Sequence, residues 1–92
     1  MTVSVWRVDL VVLPKDGVND PQGEAVKGGL ATLGHASERV RVGRHLQLDV
    51  RGSSESEVRA RVERMAEQLL ANPVIEQYAI ANLIRLELAE LA

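Results

Sequence analysis

Apolar positions along the chain switch between two periods, and the switches mark its elements. Over 2–13, TVSVWRVDLVVL, β-branched residues dominate. Trp6, Val8, Leu10 and Val12 fall on one face of the pleat, and Val3, Val5, Val11 and Leu13 on the other. The pattern predicts a first strand that needs cover on both faces. The turn-rich run PKDGVND leads to Asp20 as a helix N-cap, with Pro21 at the first helical position, where its missing N–H costs nothing. Val26, Leu30 and Leu33 then share one stripe and Gly34 closes the helix, which gives a first helix over 21–33. Gly23, Gly28 and Gly29 lie inside it, each costing about 0.8–1 kcal/mol relative to alanine. Close approach of this helix to a sheet or to another chain is the expected compensation.

Period two returns with Val40 and Val42, then Leu46, Leu48 and Val50, on either side of Gly43-Arg44. This predicts two strands joined by a tight hairpin, with glycine where a type II′ turn needs it. Ser54 and Glu57 have capping-box spacing, and Val58, Val62, Met65 and Leu69 repeat at helical period, so a second helix is expected over 54–71. Within LLANPVIEQY, residues 69–78, Leu69 and Leu70 finish the stripe. Asn72 is expected to take the left-handed conformation that closes a helix, and Pro73 forbids its continuation. Val74 and Ile75 open a last strand in which Tyr78, Ile80, Ile84, Leu86 and Leu88 alternate. In the tail, 81–92, the 84/86/88 spacing suits a strand and 84/88/91 a helix; strand continuation is preferred.

Strand, helix, strand, strand, helix, strand is the order of an α+β ferredoxin-like βαββαβ sandwich, a four-stranded antiparallel sheet with both helices on one face. One domain over 1–92 is expected, since domains run to about 100–200 residues. Such a sheet leaves a face or an edge open, and the apolar first strand predicts that another subunit covers it.

Composition then narrows the functions. Eleven basic and thirteen acidic side chains give a formal charge of −2, so no global field draws the chain to nucleic acid or an anionic membrane. There is no cysteine, hence no thiolate nucleophile or thiolate metal site, and a reducing compartment is the expected setting. The apolar run Leu10–Leu13 falls far short of the roughly 20 residues that span a bilayer, and Arg7 and Asp9 interrupt any secretory signal. A cytoplasmic protein is expected. A chain this small buries only about 60% of its unfolded surface, which argues against a deep private active site.

Few residues could do chemistry. His35 suits the negative end of a helix dipole, and His45 the polar face of the predicted hairpin; neither belongs to a ligand-spaced cluster. Arg39, Arg41 and Arg44 read as a solvated or salt-bridged face, diluted by Glu38 and Asp49. The glycines lie inside a helix and not in a loop ahead of one, so no phosphate cradle is spelled out. Trp6 and Tyr78 are the only aromatics, too few for an RNA-stacking platform. No catalytic, cofactor-binding or metal-ligating residue is expected. On composition and fold alone, a dimeric small-molecule-sensing module of the same architecture stays open.

Four segments in one order are more specific: DPQG at 20–23, an apolar helix ending LG at 33–34, VRVGR at 40–44 and LLANPVIEQY at 69–78. Together they resemble the PurS family, the small subunit of phosphoribosylformylglycinamidine synthase, over about Val8 to Ile80. Arg44 stands where that family usually has lysine, and the tail after Ala81 has no match. The resemblance implies a non-catalytic subunit, dimeric or tetrameric, that joins an ATP- and magnesium-using synthetase subunit to a glutaminase subunit. It also implies that Asp20, Pro21, Gln22, Gly23, Gly43, Arg44, Asn72, Pro73, Glu76 and Tyr78 are motif or interface positions. It implies no cofactor on this chain.

Overall fold

In the computed structural model, which describes residues 3–86, the order is β1 (Ser4–Pro14), α1 (Pro21–Thr32), β2 (Arg44–Gly52), α2 (Glu55–Met65), a π-helical turn (Ala66–Leu70) and β3 (Glu76–Arg85). Three strands form one antiparallel sheet in the order β2-β1-β3. β1 earns its central place by composition, since a β-branched strand with apolar residues on both faces packs best where it has two neighbours. Its even face is buried as expected: Val8, Leu10 and Val12 are fully covered, together with Val50 of β2 and Val58, Val62 and Ala66 from the helix above. Trp6 caps one end of this core, its indole N–H donating to the Gly52 carbonyl at 2.9 Å.

The expected hairpin at Gly43-Arg44 does not form, and the described residues hold three strands where four were predicted. Val40–Val42 is irregular chain, and Gly43 is no turn residue. An added Cβ on Gly43 would lie 1.9 Å from the Val12 carbonyl oxygen. The glycine thus lets the chain enter the sheet directly against β1, where Arg44 pairs with Val12. Alternating valines looked the same either way. What decided between them is the side chain of Asp20, which takes the Val42 N–H that a hairpin ladder would have used.

α2 starts as predicted, with the Ser54 hydroxyl accepting from Glu57 N–H at 3.2 Å. Glu57 in turn accepts from the Ser53 N–H and hydroxyl, one residue before the cap. Its end differs. The chain passes into a π turn closed by Ala71 N–H to Ala66 carbonyl at 2.9 Å, and the extra residue per turn rotates the stripe. Ala66 and Ala71 are buried, while Leu69, expected to finish the stripe, is 84% exposed.

Asn72 is not left-handed: among the described residues none other than glycine has positive φ. Its side-chain oxygen instead accepts from Val74 N–H at 3.1 Å, and its carbonyl accepts from Ile75 and Glu76. β3 begins at Glu76, two residues later than expected, and runs through Arg85. A bulge at Ala81 puts Leu83 and not Ile84 against the core. The preferred strand reading of the tail holds to Arg85, and the buried Leu86 donates its N–H to the Val5 carbonyl at 2.9 Å; residues 87–92, including Leu88 and Leu91, lie outside the described residues.

α1 departs furthest. Its cap is as predicted, and it closes in a Schellman arrangement, Gly34 N–H to Ala31 and His35 N–H to Leu30, with Gly34 at φ 91°. Yet it does not lie on the sheet beside α2: of its residues only Gly23 is buried, and Val26 and Leu33 are 46% and 75% exposed. The helix and the return segment form an arm beyond the Pro14 end of the sheet. The molecule measures 55 × 30 × 17 Å.

Candidate functional site

Three of the four sequence segments singled out above, DPQG, VRVGR and LLANPVIEQY, make two knots at the Pro14 end of the sheet, while the LG at 33–34 closes α1 out on the arm. In the first, the Asp20 carboxylate works with both oxygens. One accepts from Gly23 N–H at 3.0 Å and caps α1; the other accepts from Val42 N–H at 2.9 Å and ties the returning chain to the helix start. Gly23 is required by this closure, since a Cβ there would lie 2.3 Å from the Val40 carbonyl oxygen. Asp16 bridges Arg39 at 3.1 Å and Arg41 at 3.3 Å, so the basic group is ion-paired within the chain. Lys27 donates to the Glu38 carbonyl at 2.9 Å, further along the arm. Pro21 and Gln22 are exposed.

The second knot joins two segments 26 to 32 residues apart. Arg44 donates to both oxygens of Glu76, at 2.8 and 3.1 Å, and to the Leu70 carbonyl at 2.7 Å. That carbonyl is among those a helix end leaves unpaired. Glu76 also accepts from Asn72 N–H at 2.7 Å, and Lys15 reaches the Pro73 carbonyl. The planar guanidinium matches the carboxylate fork with two parallel bonds, a geometry a lysine could not reproduce. Glu76 and Tyr78, expected near a subunit contact, are therefore engaged inside the chain; Tyr78 donates to Glu67 at 3.0 Å. Pro73, Val74 and Leu69 remain outside, with Val74 79% exposed.

These contacts set the electrostatics. Hydrogen bonds from Gly23 and Val42, and then the nearby Arg41 charge, hold the Asp20 carboxyl below its ordinary value. The Arg44 bond and then the Asn72 N–H do the same for Glu76. Asp9, on the open face of the sheet, is lowered by Gln47 and His45, Asp49 by Arg7, and Glu57 by Ser53. A depressed folded-state value adds stability that is present above the unfolded value and is lost as pH falls through the folded one. With unfolded values of 3.8 for Asp and 4.5 for Glu, the urea midpoint is expected to stay level from neutral pH to about 5 and to fall steadily below 4.5. Asp20→Asn should flatten part of that fall. A midpoint independent of pH down to 3 would contradict this assignment.

Chemically the region offers little beyond binding. A shallow groove of about 440 Å³ runs along α2 and the start of β3, lined by Ala60, Glu63, Arg64, Glu67, Gln68 and Tyr78. Among the described residues no three His, Asp or Glu side chains are grouped to hold a metal ion. His45 Nε2 donates to the Asp9 carboxylate at 3.0 Å on the open sheet face, away from both knots, and His35 serves the helix end through its backbone. Among the described residues no helix is long and apolar enough to cross a membrane. Sequence reasoning missed the Arg44–Glu76 pairing. Nothing local announces it, because the two residues meet only once the strand order is set.

The family model described as PurS, phosphoribosylformylglycinamidine (FGAM) synthase, matches residues 7–83. The phosphoribosylformylglycinamidine synthase subunit PurS of Archaeoglobus fulgidus is 37% identical over 73 residues, which is 78% of this chain and 91% of that protein. Its Bacillus subtilis counterpart is 36% identical over 75 residues, 80% and 88% of the two chains. Thermus thermophilus PurS superposes with a TM-score of 0.81 at 40% identity, covering 90% of this chain and 99% of that one. A chain in the solved structure of Thermotoga maritima PurLQS gives 0.75 at 26% identity, covering 89% and 98%.

Proposed function

This chain belongs to the PurS family of phosphoribosylformylglycinamidine synthase subunits, and on that premise we propose that it is the non-catalytic small subunit bridging the glutaminase and the ATP-dependent synthetase. In this role it supports ammonia transfer during de novo purine synthesis in the cytoplasm. ATP and magnesium are used by the assembly, and this chain binds neither. The relationship to a chain of PurLQS supports association with two further subunits.

Shape is the observation that carries the reading. A compact domain of 92 residues has a radius of gyration of about 12 Å, whereas this one has 16.9 Å. Its accessible surface is 6406 Å², against about 5,300 Å² for a compact monomer of its mass. The motif residues, meanwhile, are consumed in fixing architecture: Asp20 and Gly23 root the arm, Gly43 seats β2 on β1, and Arg44, Asn72 and Glu76 fix the handover from helix to β3. A chain that spends its specific residues on holding an extended shape, with apolar Leu69, Val74 and Ile75 turned outward at one junction, is built to be covered. The subunit functions as a homodimer.

Sedimentation tests the bridge. Synthetase and glutaminase mixed without this chain should move as separate boundaries, and adding it at stoichiometric amounts should bring all three into one faster boundary. A stable synthetase–glutaminase complex in its absence would remove the need for a bridge.

A further inference from the structure

We infer that the cavity at the root of the arm, between the 15–20 loop and the return segment, is a seat for a phosphate group whose place the chain's own Asp16 carboxylate takes. The inference goes beyond the bridging role and does not depend on it.

The cavity holds about 280 Å³ and is lined by Lys15, Asp16, Asp20, Glu24, Arg39 and Arg41, among others. Arg39 and Arg41 stand two residues apart on irregular chain, and both guanidinium groups turn to one point. Arg39 Nη2 lies 3.1 Å and Arg41 Nη1 3.3 Å from the same oxygen, Asp16 Oδ1. Charge-assisted N–H···O bonds close to about 2.7–2.9 Å when the acceptor fits. In the same chain Arg44 reaches the two oxygens of Glu76 at 2.8 and 3.1 Å. Asp16 instead divides one oxygen between two cations and holds both loosely. Arg41 carries the larger deficit. Its side chain is only 14% exposed, and its Nη2 is buried without a hydrogen-bond partner. A guanidinium has five donors in a fixed fork and keeps its charge, so enclosing it with so few acceptors costs free energy that a better acceptor would recover. The Asp16 side chain is 78% exposed and can turn out to water without disturbing the core.

A tetrahedral oxyanion supplies what one tethered carboxylate lacks. A phosphate monoester has three terminal oxygens, enough to give each guanidinium its own acceptor, and carries a charge of about −1.5 to −2 near neutral pH. Lys15 adds a third cation to the lining. The acidic members oppose this only in part. Both Asp20 oxygens are already taken, by the Gly23 and Val42 N–H groups, and Glu24 is exposed on the first turn of α1. Its like charge keeps the expected affinity in the millimolar range. Inorganic phosphate and a sugar or polyol phosphate present the same group, and the seat reads only what they share.

Amide NMR shifts of the full chain, followed during titration with sodium phosphate at constant ionic strength, test this. Saturable shifts are expected at Asp16, Gly17, Arg39 and Arg41. Arg41→Gln should weaken binding by at least about tenfold. Asp16→Asn should tighten it about 2- to 5-fold, because the competing carboxylate is gone. The second variant alters one exposed side chain, so it keeps the test decisive even if Arg41→Gln fails to fold, which Trp6 fluorescence reports. Glycerol phosphate separates the sources. Binding at least as tight as that of inorganic phosphate assigns the seat to phosphate monoesters, and weaker binding assigns it to the free ion; either supports the site. Shifts produced by glutamate and by neither phosphate would make this a carboxylate site and overturn the proposal. Shifts that sodium chloride reproduces, that do not saturate, or that Asp16→Asn leaves unchanged or weakens overturn it equally.

Discussion

Leaving this protein out of a reconstituted mixture of synthetase and glutaminase is expected to abolish glutamine-dependent amidine formation and to leave most of the ammonium-driven activity in place. The reason is proximity. Ammonia released into bulk water is mostly protonated near neutral pH and is diluted before it meets the synthetase. A docked glutaminase instead delivers it at an effective concentration of order millimolar or above. A bridge therefore matters for one nitrogen source and not for the other. Added ammonium salt supplies free ammonia from solution, and that route requires no docking. The split between the two activities is the diagnostic quantity, measured as initial rates with glutamine and with ammonium chloride, with and without this chain. Equal loss of both would mean that the chain shapes the synthetase active site directly, and the bridging role would have to be given up.

The second large effect is structural and concerns one methyl group. Gly43→Ala puts a Cβ 1.9 Å from the Val12 carbonyl oxygen and 2.9 Å from Leu13 Cδ2. The closest neighbour is backbone in the central strand, so no side chain can simply swing aside. β2 must lift away from β1 at Arg44–Val12, and the Arg44 bonds to Glu76 and Leu70 go with it. Overpacking of this kind costs about 2–4 kcal/mol. The stability of a domain this size is about 5–14 kcal/mol, so the melting temperature should drop by roughly 10–30 °C. Gly28→Ala is the control, since its Cβ meets nothing and it gains helix propensity of about 0.8–1 kcal/mol in the free chain. A Gly43→Ala protein that melts with the wild type would show that the close approach is not needed.

Both effects depend on long-range closeness, and so did the errors of the sequence reading. Position by position, the period-two face of β1 named its buried residues correctly, because alternation in a strand maps directly onto the two faces of a sheet. The caps at Asp20, Ser54 and Gly34 were readable because a cap acts within three residues of itself. Val40–Val42 misled because alternating valines are compatible with a hairpin until a distant carboxylate claims the Val42 N–H. Leu69 misled because one extra residue in a π turn rotates everything after it, and ordinary helical spacing gives no warning. Glu76 was expected near a subunit contact; that it is paired with Arg44, 32 residues away, is something no local pattern announces.

By itself, then, the sequence determined the local elements, the buried face of the central strand and the family, the last because four segments in fixed order are information that needs no coordinates. Only the tertiary structure decided that the sheet has three strands and that α1 stands away from it as an arm. It also decided that Asp20, Arg44 and Glu76 tie distant segments of the chain together. The physical reason is range. Propensity, periodicity and capping act over a few residues, whereas a carboxylate choosing between two N–H groups, or a glycine admitting one strand against another, is settled by which distant parts of the chain the fold brings within about 3 Å.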